Sequence, residues 1–239
     1  MTDPASRQGA SAATGAPEDS SVTQDYLKAV WSSTEWGGPG ASVTGLARRM
    51  GVAPSTASEN VARLVEAGLL EHEPYRTVSL SPEGRRRAMA MVRRHRLLET
   101  YLVSALGFEW DEVHAEAEVL EHAVSDRLLD RLDAALGRPV RDPHGDPIPR
   151  ADGILVEPSL RPVEALATGE SGVVARILDD PAILRDLAAA GIGLDVRVTL
   201  EYRTTVLPAE GGGIRRPTVV LSGPDGRTQV PHGCLWLLA

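Results

Sequence analysis

Residues 114–122, HAEAEVLEH, hold two histidines and three glutamates among apolar neighbours. Imidazole nitrogens and carboxylate oxygens are the side-chain donors that divalent first-row metals take most readily. On a helix, positions three and four apart share a face. His114, Glu118, Glu121 and His122 therefore fall on one side, and Glu116 points elsewhere. An upstream helical stretch adds His95 and Glu99, again at i and i+4. Burying such a set without a cation would be costly. The same spacing also describes a solvated acidic face. Leu120, Val124 and Leu128 flank the stripe and place it at a core boundary, and three of the six histidines lie on these two helices. Spacing leaves both readings open.

The elements that must carry these residues can be read in chain order. VTQDYLKAVW, 22–31, has a helical apolar stripe after the cap Ser21, and GGPG at 37–40 ends it. A short helix capped by Thr44 runs to Met50, Gly51 makes a turn, and Pro54 opens a second helix to about Ala67. LLEHEPYRTVSLS alternates like a short hairpin, and Ser81-Pro82-Glu83 is a capped start for a helix to about Leu106. This order is that of a winged helix-turn-helix, in which Ser55, Thr56 and Ser58 bring small hydroxyl groups to the first turn of the second helix, where they can approach base edges in a major groove. After a FEWDEV loop, one helix is expected from Val113 to Leu136. GRPVRDPHGDPIPRADG, 137–153, is a turn-rich segment, and ILVEPSLRPVEAL reads as a linker. From Gly172, GVVARIL, VRVTLEYR, PTVVLSG and TQVPHGCLWLL predict a small β-barrel or sheet around a short helix at Pro181–Ala190. The expected organisation is mainly α: a disordered tail at 1–20, a winged helix-turn-helix DNA-binding domain at 21–90, a helical metal-binding and dimerisation domain at 91–153, a linker at 154–171 and a small β domain at 172–239.

Composition narrows the class. The formal charge is −8, yet Ser42 to Arg96 carries ten arginines against five glutamates, a local balance of +5 that leaves −13 for the rest. A basic module on an acidic protein is the footprint of a nucleic-acid binder. No run approaches the roughly 20 apolar residues that span a bilayer, the N-terminal stretch has no secretory h-region, and the single Cys234 rules out an intrachain disulfide, so a reducing cytoplasm is expected and a membrane is not. Neither HExxH nor a nucleophile elbow occurs, and the chain is expected to be no enzyme and to take no small organic substrate.

The order of winged helix, RRHRLLE, HAEAEVLEHAVSD and DPHGDPIP resembles the diphtheria toxin repressor family of metal-dependent transcriptional regulators, in its manganese-responsive branch, from about Val22 to Pro149. The resemblance implies a C-terminal SH3-like (FeoA-like) domain and a homodimer that represses metal-homeostasis genes by binding a palindromic double-stranded operator when metal is bound. It implies a primary metal set of Asp25, Glu118, Glu121 and His122 and a second set of His95, Glu99 and His114, with Asp179 and Asp180 as weaker contributors from the C-terminal domain. The iron-responsive branch has cysteine at the position of Glu118 and methionine at that of Asp25; two carboxylates here favour Mn(II), with Fe(II), Co(II) or Zn(II) as alternatives. Lys28 stands where the manganese branch commonly has a second acid, which argues against a closely paired binuclear site. On the DNA side the expectation is that Ser55, Thr56 and Glu59 approach bases while Ser58 and Arg76 meet phosphates. The rivals are an iron-responsive repressor of the same family and a metal-independent winged-helix regulator that senses a small molecule.

Overall fold

The computed structural model describes residues 20–73, 76–204 and 217–239. The tail expected at 1–20 lies outside them except for Ser20. Two compact units divide the chain, Met1–Ala88 and Met89–Ala239.

In the first unit, α1 (Ser21–Ser32) begins one residue earlier than the sequence suggests, because Ser20 is its cap and accepts from Thr23 N. Tyr26, Leu27 and Val30 of α1 are buried with Leu46 of α2 (Val43–Arg49) and Val61 and Leu64 of α3 (Pro54–Glu66). Ser42 rather than Thr44 caps α2, its Oγ accepting from Gly45 N at 3.0 Å. Gly51 supplies the left-handed turn between α2 and α3 at φ 64°. A short antiparallel pair, β1 (Leu70–Glu71) and β2 (Ser79–Leu80), forms the wing. Ser81 fastens the start of the next helix: its Oγ donates to Gly68 O at 2.6 Å and accepts from Gly84 N at 3.0 Å.

That helix, α4 (Pro82–Leu106), runs into the second unit. The single helix expected over Val113–Leu136 is two: α5 (Val113–Leu120) and α6 (Asp126–Ala135). The break has a local cause, since Ser125 takes extended backbone and its side chain caps α6 by accepting from Leu128 N. Leu98, Leu102, Val113, Ala117 and Leu132 close the helical core.

The rest of the unit is a six-stranded antiparallel sheet of order β3-β8-β4-β5-β6-β7, made of β3 (Leu160–Pro162), β4 (Ser171–Ile177), β5 (Arg197–Thr204), β6 (Thr218–Ser222), β7 (Arg227–Pro231) and β8 (Leu235–Leu238), with α7 (Pro181–Ala189) between β4 and β5. β3 lies inside the segment expected to be linker and pairs with β8. The strand core of Val174, Ile177, Val198, Leu200, Val219 and Leu235 also receives Trp110 from the helical part.

The Pro/Gly-rich turn at 142–149 joins the two parts. Asp142 Oδ1 accepts from His144 N and Asp146 N, both at 2.9 Å, which folds the turn on itself. Arg96 Nη1 donates to Pro147 O and Arg93 Nη1 to Pro149 O, each at 2.8 Å, so α4 holds one side. β4 holds the other: Ile177 N donates to His144 O at 2.8 Å, and the Arg176 guanidinium donates to Asp146 while lying 4.0 Å over the Trp236 ring. Gly145, at φ 93°, passes so close to β4 that a Cβ there would lie 2.1 Å from Ala175 O.

Candidate metal centre

Four elements of the second unit converge on Glu99. Its position on α4, one turn after His95, follows from the helical period, and α5 brings His114 against both. His95 Nε2 is 2.8 Å from Glu99 Oε1 and 3.1 Å from His114 Nδ1, while His114 Nδ1 is 3.2 Å from Glu99 Oε1. One ligand atom from each of the three residues falls within 4.8 Å of the others. The loop before α7 adds Asp179, whose Oδ2 lies 2.9 Å from His114 Nδ1. Its neighbour Asp180 is turned away and caps α7, accepting from Ala182 N at 2.9 Å and Ile183 N at 3.2 Å.

The turn at 142–149 supplies two residues that sequence reasoning did not assign as ligands. Asp142, His144 and Glu99 also hold ligand atoms within 4.8 Å, all three buried. His144 Nδ1 is 3.9 Å from Glu99 Oε2, and its Nε2 is 3.7 Å from Asp179 Oδ1 and 2.8 Å from Trp110 O. Both belong to DPHGDPIP, one of the motifs that carry the family resemblance, but in a Pro/Gly-rich segment no periodicity says which way a side chain points.

The electrostatics show why this pocket calls for positive charge. Its hydrogen bonds to Asp179 first and Glu99 second lift the His114 imidazole to about 10. Burial opposes charge on Glu99, but His95, His114 and His144 outweigh it and hold that carboxyl well below the usual range. Burial first, then the Asp146 and Glu99 carboxylates, push Asp142 up to about 7. His144 is raised despite its burial by Asp142, Glu99 and Asp179. A set of clustered carboxylates compensated by imidazolium is one in which a divalent cation can replace protons. The mixed nitrogen and oxygen donors fit Mn(II), Fe(II), Co(II) or Zn(II).

The other expected residues stand as follows. Glu121 is the C-terminal cap residue of α5 and is buried, and His122 lies in the turn that follows. Glu121 Oε2 is 2.6 Å from His95 Nδ1, and its Oε1 is 3.7 Å from His122 Nε2. Glu118 is exposed, with Oε1 3.4 Å from His114 Nε2. Glu116 is exposed as well. Asp25 sits half-buried on α1 of the first unit, one turn before the buried Lys28. In that unit Ser55, Thr56, Ser58 and Glu59 are all exposed on α3, and Arg76 is exposed in the wing, 3.2 Å from Glu73.

Residues 20–78 match "Iron dependent repressor, N-terminal DNA binding domain", and residues 81–150 match "Iron dependent repressor, metal binding and dimerisation domain". The Iron-dependent repressor IdeR of Mycobacterium tuberculosis is 34% identical over 228 residues, covering 88% of this chain and 93% of the relative. The chain belongs to the diphtheria toxin repressor family. Within that family it is similar to a solved structure described as "Manganese-dependent transcriptional repressor complex with manganese", at 47% identity and TM-score 0.77 over 90% of this chain and 99% of the other. It is also similar to ScaR with bound Cd2+, at 26% identity and TM-score 0.73 over 90% of this chain and 99% of that one.

Proposed function

We propose that this family member is a Mn(II)-responsive repressor that binds a palindromic operator as a homodimer and controls metal-homeostasis genes. The observation that carries the reading is the convergence of the buried His95 and Glu99 with the partly exposed His114 and Asp179, a donor set of two imidazoles and two carboxylates without sulfur. Bound there, a divalent metal would neutralise the clustered carboxylates and fix the two helices and the β4–α7 loop that carry them. Glu99, Asp142 and His144 form an overlapping set that can share the same carboxylate. A primary set of Asp25, Glu118, Glu121 and His122 is part of the proposal; its support is residue type, two carboxylates where the iron branch has sulfur, and the 47% identity to a manganese-dependent repressor.

The exposed residues of α3 would read bases, with Ser55 and Thr56 reaching close and Glu59 accepting from an exocyclic amine, while Ser58 and Arg76 would meet phosphates. Exposed Leu106, Val119 and Leu128 around the helical part supply apolar surface for a second copy. Among the described residues, no helix is long and apolar enough to cross a membrane. Neither the family match nor the site calls for enzymatic turnover, and the cytoplasm, where chromosomal DNA is, suits the reading.

Fluorescence anisotropy with a labelled operator is the test. Affinity should rise with Mn(II) and be lost on chelation; binding indifferent to metal would overturn the reading. An iron-responsive role is the second reading, favoured by the 34% identity to Iron-dependent repressor IdeR, and a parallel Fe(II) titration separates the two.

A further inference from the structure

The second unit opens into a cavity of about 980 Å³, lined in part by Gly145, Pro147, Ile148 and Pro149 of the 142–149 turn. That volume is at the upper end of the range of about 300–1,000 Å³ in which proteins hold small organic molecules. Its wall is apolar: Ile148 lies in it, and Val140, Val156 and Leu238 line it while remaining 78%, 66% and 50% exposed. Three large apolar side chains left in water around one concavity mark a surface that something covers.

The lining is also cationic. Four arginines line the cavity against one acid, Asp133. Arg93 is spent on Asp133 and Pro149 O, and Arg141 on Asp195. Arg138 and Arg150 are exposed and make no ion pair with any described residue. Arg138 also holds a backbone that its side chain disfavours. It follows Gly137, at φ 75°, and is itself left-handed at φ 59°, where a non-glycine residue costs free energy that the fold must offset. Arg138 N donates to Asp133 O at 2.8 Å, which turns the chain back at the end of α6, and Arg138 lines the cavity.

From these features we infer that the cavity binds a soluble amphiphilic anion, a carboxylate or phosphate head held by Arg138 and Arg150 with an apolar body against Val140, Val156 and Leu238. Guanidinium is the side chain best suited to planar or tetrahedral oxyanions, and the apolar wall gives the remainder of the molecule a dry surface. The occupant would be a monomeric small molecule, because the site is concave and is lined by two exposed guanidiniums that make no ion pair with any described residue.

The test uses the full-length protein without DNA, both Mn(II)-loaded and chelator-treated, so its outcome is separate from that of the metal-dependent repressor reading. Decyl phosphate, kept below its micelle concentration, is titrated by calorimetry beside decanol and inorganic phosphate. One decyl phosphate should bind per chain, with decanol and phosphate each at least about tenfold weaker. The R138A/R150A variant should lose at least about tenfold in affinity with an unchanged melting midpoint, since both residues are exposed; Val156→Asp, which charges the apolar wall, should lose binding as well. Equal binding of decanol, equal binding of phosphate, undiminished binding by either variant, or no binding of decyl phosphate would each overturn the proposal. Sedimentation with phosphatidylglycerol vesicles in the absence of monomer binding would assign the surface to a lipid bilayer and overturn it too.

Discussion

Asp179 and Asp180 are neighbours in the chain with separate tasks, and substitution can tell them apart. Asp179 faces His114, whereas Asp180 caps α7. Asp179→Ala should weaken Mn(II) at the His95–Glu99–His114 set by at least about tenfold in a metal titration, in the range seen when a group supporting a metal site is removed. Asp180→Ala should leave that affinity alone and cost about 1 kcal/mol of stability through loss of the cap, read as a lower melting temperature. Glu59 gives a second residue-scale prediction. As a carboxylate on the exposed face of α3 it suits the cytosine N4 amine; Glu59→Gln should move preference at one operator position from cytosine to adenine by about 1–3 kcal/mol, measured with a set of single-base operator variants. Unchanged preference would remove Glu59 from the reading face. The His95/Glu99 pair was legible in the sequence because both lie on one regular helix. His144 was not, because its direction depends on how Asp142 folds the turn and on Arg96 and Ile177 N gripping it from α4 and β4.

Among the elements, the short α5 matters most. The sequence pattern alone suggests a helix running through to Leu136, on which His114, Glu118, Glu121 and His122 share one stripe. Ser125 ends that regularity, so Glu121 becomes a terminal residue of α5 and turns its carboxylate onto His95. A side-chain cap is a local preference that competes with helical continuation, and the apolar period on either side conceals it. The contact has a consequence for binding. A carboxylate on the far nitrogen of a ligating imidazole orients the ring and raises its basicity. Glu121→Gln should therefore weaken both steps of a two-step Mn(II) titration, the His95 step by about 10- to 100-fold, whereas His122→Ala should weaken one. An E121Q variant with an intact His95 step would refute the orienting role. At the same scale, Gly145 allows the turn to touch β4; Gly145→Ala places a Cβ against Ala175 O and should lower the melting temperature by the equivalent of about 1–3 kcal/mol.

Across the whole molecule, charge is the property most readily read from the sequence. The arginine excess from Ser42 to Arg96 sits in a protein of net −8, so operator binding should be steeply salt-dependent, with affinity falling by orders of magnitude between about 50 and 200 mM salt as the release of condensed counterions becomes less favourable. A flat salt profile in anisotropy titrations would contradict a phosphate-binding face. The winged helix and the β-rich C-terminal part were also legible, since each rests on local alternation and turn residues. The sheet order was not: β8 lies between β3 and β4, and such distant pairings leave no local trace, which is why β3 looked like linker. The grip of Arg176 on Asp146 bears on where this chain can be cut. The match to the metal-binding and dimerisation domain ends at residue 150, but the guanidinium that donates to the buried Asp146 comes from β4, beyond it. A fragment stopped at 150 would keep the acid and the more distant Arg96, 3.7 Å away, but lose the guanidinium that donates to it, so the end of a domain match is not a boundary of folding, and a shortened protein would show it by melting earlier than the intact chain.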